Sequence, residues 1–243
     1  AILLADRGDA GLAVKALQPA LEFGKGWGNA VMAFAKIAEH VGRHDEADSL
    51  FSRLEDPDED ATATYATILH ARGKFEASLD VATKGLARWP DNLPLLLLSG
   101  ELGDLLGKPE GGHFQRIIDL VEAMEPSYCS SFEKCYLATA FDNVGNASAA
   151  DALIDAWPRP RPYWLLYSAM ASAVAGKAER SAAQYKKAVA ALDPLGSYER
   201  ATMVRSHLAD IEVYGKRGRL PDWERFLAQA KATLDRDTRK ATT

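Results

Sequence analysis

His40 and His44 stand four residues apart in HVGRHDEAD, the spacing that sets two imidazoles on one helix face where they can share a divalent metal. Gly42 falls between them, however, at a point where the chain is expected to turn. The stretch also lacks the glutamate of a metalloprotease helix, so both residues read as solvated turn histidines. The other histidines are His70, His113 and His207, and no Cys-x-x-Cys pair supplies thiolates for zinc. The acidic run EDPDED, Glu55 to Asp60, lacks the ligand spacing of a calcium loop and is expected to be a solvated loop. The Gly-rich GKGWGN, Gly24 to Asn29, follows no strand; it reads as an inter-helix loop, not as a dinucleotide cradle. The chain contains neither a P-loop nor a Gly-x-Ser-x-Gly elbow. No catalytic residue, metal site or cofactor is expected, and the segment is expected not to be an enzyme.

The remaining reactive side chains are Cys129 and Cys135. If one helix carries both, six residues at ~1.5 Å of rise separate them by about 9 Å along its axis, beyond disulfide reach. They read as two small buried hydrophobes. This usage fits a reducing compartment, which points to the cytoplasm, with the periplasm as the alternative.

Those residues must be positioned by helices. Ala and Leu dominate the 243 residues and β-branched residues are sparse, a composition that favours helix. A net charge of -5 argues against a general nucleic-acid binder, which would carry a basic face. The longest apolar run, Leu93 to Ser99 (LPLLLLS), falls far short of the roughly 20 residues that cross a bilayer, so no membrane insertion is expected. The opening AILLADRGD lacks a basic leader and reads as the tail of a truncated helix, not as a signal peptide.

One phrase recurs. GKFEASLDVATKGLARWPDN runs from Gly73 through an amphipathic helix to Trp89-Pro90. Phe75, Leu79, Ala82 and Leu86 form one apolar stripe on it, with small residues at Ser78, Ala82 and Gly85 for close approach of neighbouring helices. Trp89, ahead of a proline, is expected to leave helical backbone and to join the core. GKAERSAAQYKKAVAALDP from Gly176 and GRHDEADSLFSRLEDP from Gly42 follow the same plan, and GNASAADALIDAWP from Gly145 is a shorter version. Weaker copies begin at Gly8, Gly107 and Gly215 or Gly218. The turn glycines Gly8, Gly42, Gly73, Gly107, Gly145, Gly176 and Gly215 are spaced by 34, 31, 34, 38, 31 and 39 residues.

This period, with Ala47–Phe51–Leu54–Pro57 and Ser181–Tyr185–Ala188–Pro194 at matching offsets, resembles the tetratricopeptide repeat (TPR), whose helix–turn–helix unit has ~34 residues. The first-helix Trp and Leu-Gly positions of that family are mostly missing, and the Gly107 and Gly215 units need insertions. The resemblance implies an all-α fold: a right-handed superhelix of stacked antiparallel helix–turn–helix repeats. It would cover residues 1–243 as one solenoid of about six to seven hairpins, with a truncated first repeat and a capping helix near 220–236. In that cap Trp223, Leu227, Ala230 and Leu234 make the inner stripe, and Glu224, Arg225, Gln229, Lys231 and Asp235 the polar outer face that a terminal repeat requires.

The resemblance also places the ligand in the concave groove, lined by the first helix of each hairpin. Counting back from the turn glycines gives the groove candidates. They are Asn29, Met32, Lys36 and His40, then Thr67, His70 and Glu101. Phe132, Tyr136, Thr139 and Asn143 follow, and then Tyr163, Tyr167, Met170 and Arg205. The aromatic and Met members offer contact area at low entropic cost. The Lys–Asn clamp that some family members use for acidic chaperone C-termini is not matched, since Thr67 and Glu101 stand where the clamp needs Lys or Asn. The implied function is a non-catalytic scaffold binding a partner peptide or protein. The alternatives are the repeat portion of a larger enzyme, such as a bacterial transferase, and a self-associating homo-oligomer.

Overall fold

Asp58, Asn92 and Ser130 each precede a helix and are residues whose short side chains can accept from the orphan amides of a first turn. In the computed structural model they do so: Ala61 donates to Asp58 Oδ1 at 2.8 Å, Leu95 to Asn92 Oδ1 at 3.0 Å and Phe132 to Ser130 Oγ at 3.1 Å. The structure describes residues 28–40, 43–52, 54, 56–108, 111–125, 127–156 and 177–192, with isolated helical positions outside these ranges. The described helices are α1 (Gly28–His40), α2 (His44–Ser52), α3 (Glu59–Ala71), α4 (Phe75–Arg88), α5 (Leu93–Leu106), α6 (His113–Glu122), α7 (Ser131–Asn143), α8 (Ala147–Asp155) and α9 (Ala178–Leu192). Among the described residues there is no strand.

The expected turn glycines mark one recurring hydrogen bond. The residue after five of the seven donates its N–H five residues back: Arg43 to Ala38, Lys74 to Leu69, Lys108 to Gly103, Asn146 to Phe141 and Lys177 to Ser172, all at 2.8–2.9 Å. This is the bond that closes a helix in the Schellman motif, which needs a left-handed residue just before the donor. Gly73, Gly107 and Gly145 supply it, with φ of +72°, +69° and +85°. A repeat register read from glycine spacing is thus also a register of backbone geometry.

Each turn folds one helix back on the last, and the pairs stack. α1 packs on α2, α3 on α4, α5 on α6 and α7 on α8. The first helices also meet one another, α1 on α3, α3 on α5 and α5 on α7, while α4 and α6 lean on the first helix of the following pair. The core follows this order in three clusters. Met32, Phe34, Ala47, Phe51 and Ile68 join α1, α2 and α3, with the Phe51 and Tyr65 rings stacked at 4.6 Å. Ala66, Phe75, Ala82, Leu95, Leu98 and Leu102 join α3, α4 and α5. Leu93, Leu97, Ile117, Val121 and Leu137 join α5, α6 and α7. The apolar run at Leu93 is the first part of α5, which is buried on nearly every face because neighbours flank it on both sides.

Glycines also admit neighbours at two places within helices. A Cβ on Gly85 would stand 2.7 Å from Leu95 Cδ1 and 3.0 Å from Thr62 Cγ2, and one on Gly100 would meet the Phe114 ring at 2.7 Å. The apolar stripe of α4 is as expected, with Phe75, Ser78, Ala82 and Gly85 buried. Trp89 leaves the helix at φ -129°, ψ 77° and packs on the second cluster, with the Arg88 guanidinium 4.3 Å above its ring.

Several expectations need correction. Gly215 is helical and buried, not a turn. Gly28 and Asn29, read as loop, begin α1, and the EDPDED run is only partly loop: Asp58 caps α3 while Glu59 and Asp60 are its first-turn acids. The acids suit that place, since a helix N-terminus carries partial positive charge. Cys129 lies ahead of α7, so the two cysteines do not share a helix. Both are free thiols, Cys135 buried and Cys129 partly so. In the expected capping helix the described positions from 224 to 232 are helical, with Glu224, Arg225 and Lys231 exposed; Trp223, Gln229, Ala230, Leu234 and Asp235 lie outside the described residues. No helix among the described residues is long and apolar enough to cross a membrane.

Candidate partner-binding face

The row of first helices α1, α3, α5 and α7 positions the groove candidates, and burial sorts them. Thr67 is exposed on α3, its hydroxyl donating to the Ala63 carbonyl at 2.8 Å. His70 is only 2% exposed, its ring 5.6 Å from Phe75. It faces the second helix of its own pair and belongs to the interior. Met32 and Thr139 are likewise interior, at 8% and 2% exposure. These three correct the count back from the turn glycines. That count placed residues along the chain, but a helix presents side chains by angle, and packing on both neighbouring pairs takes most of the circumference.

Glu101 on α5 is half-buried, and Asn143 is exposed at the end of α7, its amide donating to the Thr139 carbonyl at 2.9 Å. Phe132 stands out at 54% exposure. One turn further along α7, Tyr136 packs partly against the third core cluster, and burial pushes its phenol well above the usual tyrosine range. The side chains of Asn29, Lys36 and His40 lie outside the described residues, although α1 carries all three. Tyr163, Tyr167, Met170 and Arg205 lie outside them altogether.

The aromatic edge at the start of α7 consists of Tyr128 and Phe132, exposed on either side of the Ser130 cap. Tyr128, exposed at 79%, stands four residues before Phe132, which stands four before Tyr136. Met124 and Cys129 lie beneath as partly buried members of the third cluster, and burial pushes the Cys129 thiol up, with Lys134 pulling it back. Tyr128 was missed because the count began at helical residues and Tyr128 precedes the Ser130 cap.

Among the described residues no three His, Cys, Asp or Glu side chains gather as metal ligands. His44 opens α2 and turns Nδ1 to Glu39 Oε2 at 2.9 Å, which gives it a carboxylate partner within the protein. No family model matches the sequence, and no curated protein matches it.

Proposed function

We propose that the chain is a TPR-like solenoid, a right-handed superhelix of stacked helical hairpins whose row of first helices forms a concave surface for a partner peptide or protein. The observation that carries this reading is the aromatic edge. Tyr128 and Phe132, at 79% and 54%, are the two most exposed large apolar side chains among the described residues, and they flank the start of one first helix. Aromatic side chains with little torsional freedom supply contact area cheaply and dominate many interfaces. Thr67, Glu101 and Asn143 would give the surface polar contacts along the same row. The role is that of a non-catalytic scaffold, working in the cytoplasm.

The test is affinity capture from cells of the source organism, comparing wild type with Tyr128→Ala/Phe132→Ala by quantitative mass spectrometry. Both side chains are exposed, so the melting temperature should stay within about 2 °C, as for surface substitutions of a few tenths of a kcal/mol. A protein captured by wild type should be depleted about tenfold or more with the variant, as when a central aromatic contact is lost. Equal recovery of every captured protein would overturn the assignment.

A further inference from the structure

The two flanks of the described array carry the same charged arrangement. Glu39 and Asp142 each stand three residues before a turn glycine, Gly42 and Gly145, and Asp48 and Asp151 each stand six residues after it. The hairpin thereby brings two carboxylates, one from each helix, to the same corner of its pair. In both cases an arginine from the following pair enters that corner. Arg72 Nε lies 2.9 Å from Glu39 Oε2 and Nη1 lies 2.7 Å from Asp48 Oδ1, and Nη2 donates to the His44 carbonyl at 3.2 Å. Arg180 Nη1 lies 2.7 Å from Asp142 Oδ1, a charge contact without hydrogen-bond alignment. Its Nη2 lies 2.7 Å from Asp151 Oδ1 and its Nε 3.0 Å from Oδ2. Ser168 donates to Asp142, and Ser172 and Gln184 complete the cluster.

The two arginines arrive by different routes. Arg72 follows the last turn of α3, a first helix, while Arg180 sits in the first turn of α9, a second helix. The carboxylate pair is what the repeat register fixes, and the guanidinium comes from whichever element reaches it. Between the flanks the same offsets hold His70 and Leu79 at Gly73, and Asp104 and His113 at Gly107. Neither is a carboxylate pair. In this central region Leu86 packs against both the second and third clusters, which makes the core continuous there.

Apolar contact is non-directional and tolerates small shifts. A buried ion cluster behaves differently: Arg72 is 7% exposed and Asp142 1%, and separating such partners leaves an uncompensated charge. We propose that the two arginine clasps are orientation locks, which hold the flanking helix pairs in one setting against the central α3–α8 block and let each flank open as a unit when its clasp is broken. The array then has a firm middle and two hinges. This stands independently of the partner reading.

Hydrogen exchange on the full chain tests it. In Arg180→Met, amides of α9 should exchange about tenfold faster or more, and in Arg72→Met those of α1 and α2, while α4 to α6 stay within about twofold of wild type. Asp151→Asn removes a half-exposed acceptor and should give a smaller rise confined to α9; it decides the matter if Arg180→Met fails to fold. Faster exchange spread evenly over all helices would mean one cooperative unit and would overturn the proposal. So would unchanged exchange in the flanks.

Discussion

Glu39 and Asp142 occupy the same place relative to their turn glycines, yet their surroundings drive their titration in opposite directions. Burial pushes the Glu39 carboxyl up, but the Arg72 guanidinium and His44 outweigh it and hold the group below the ordinary value of 4.5. For Asp142, burial wins: Ser168 and Arg180 pull the carboxyl down and Asp151 adds to the rise, leaving it above 3.8. Linkage turns these directions into opposite pH responses. The stability from Glu39 is complete above 4.5 and is lost as pH falls through its depressed value. Asp142 binds its proton more tightly in the folded chain, so folding gains as pH falls from its raised value toward 3.8. Urea unfolding of wild type, Glu39→Gln and Asp142→Asn at neutral pH and just below 4.5 checks both signs. The gap between wild type and Glu39→Gln should narrow in acid, and wild type should gain on Asp142→Asn. Removing a guanidinium is the larger change: Arg72→Met should cost about 3 kcal/mol, because Glu39 and Asp48 lose their buried counter-charge and keep only the half-exposed His44 and Lys74.

At the scale of the helix, side chains that end or admit neighbours matter more than charge. Asn92 caps α5, the most buried helix, and Pro94 in its first turn pre-sets the backbone. Asn92→Ala should therefore lower stability by about 1 kcal/mol, measured by denaturant midpoint at unchanged m-value. Gly85 has a different role, because Leu95 of α5 already occupies the space a side chain would need. Gly85→Leu should destabilise by about 1–3 kcal/mol through overpacking, and an unchanged melting temperature would contradict the α4–α5 packing. Gly100 is placed alike beneath Phe114, so the paired change Gly100→Ala/Phe114→Leu should recover part of the loss from Gly100→Ala alone.

At the scale of the molecule, the described pairs from α1 to α8 share cores with their neighbours, so their stability is expected to be a sum of local pairs and the seams between them. The period of the turn glycines determined the helix–turn–helix plan by itself, since a left-handed backbone position that closes a helix is available cheaply to glycine alone. The stripe on α4 and the closing of that helix at Trp89 were legible for the same reason: local backbone and periodicity dictate them. The exposure of the candidate face was legible only in part. Phe132 could be named from its offset, but His70 and Thr139 share that kind of offset and are interior, because burial depends on which neighbours close over a helix. The nine-residue spacings of Glu39 with Asp48 and of Asp142 with Asp151 were written in the sequence. What gave them meaning was Arg72 and Arg180, which lie at 33 and 38 residues from the first acid of each pair. Contacts at that range are made by stacking one pair on the next, and only the tertiary structure decides which guanidinium reaches which corner.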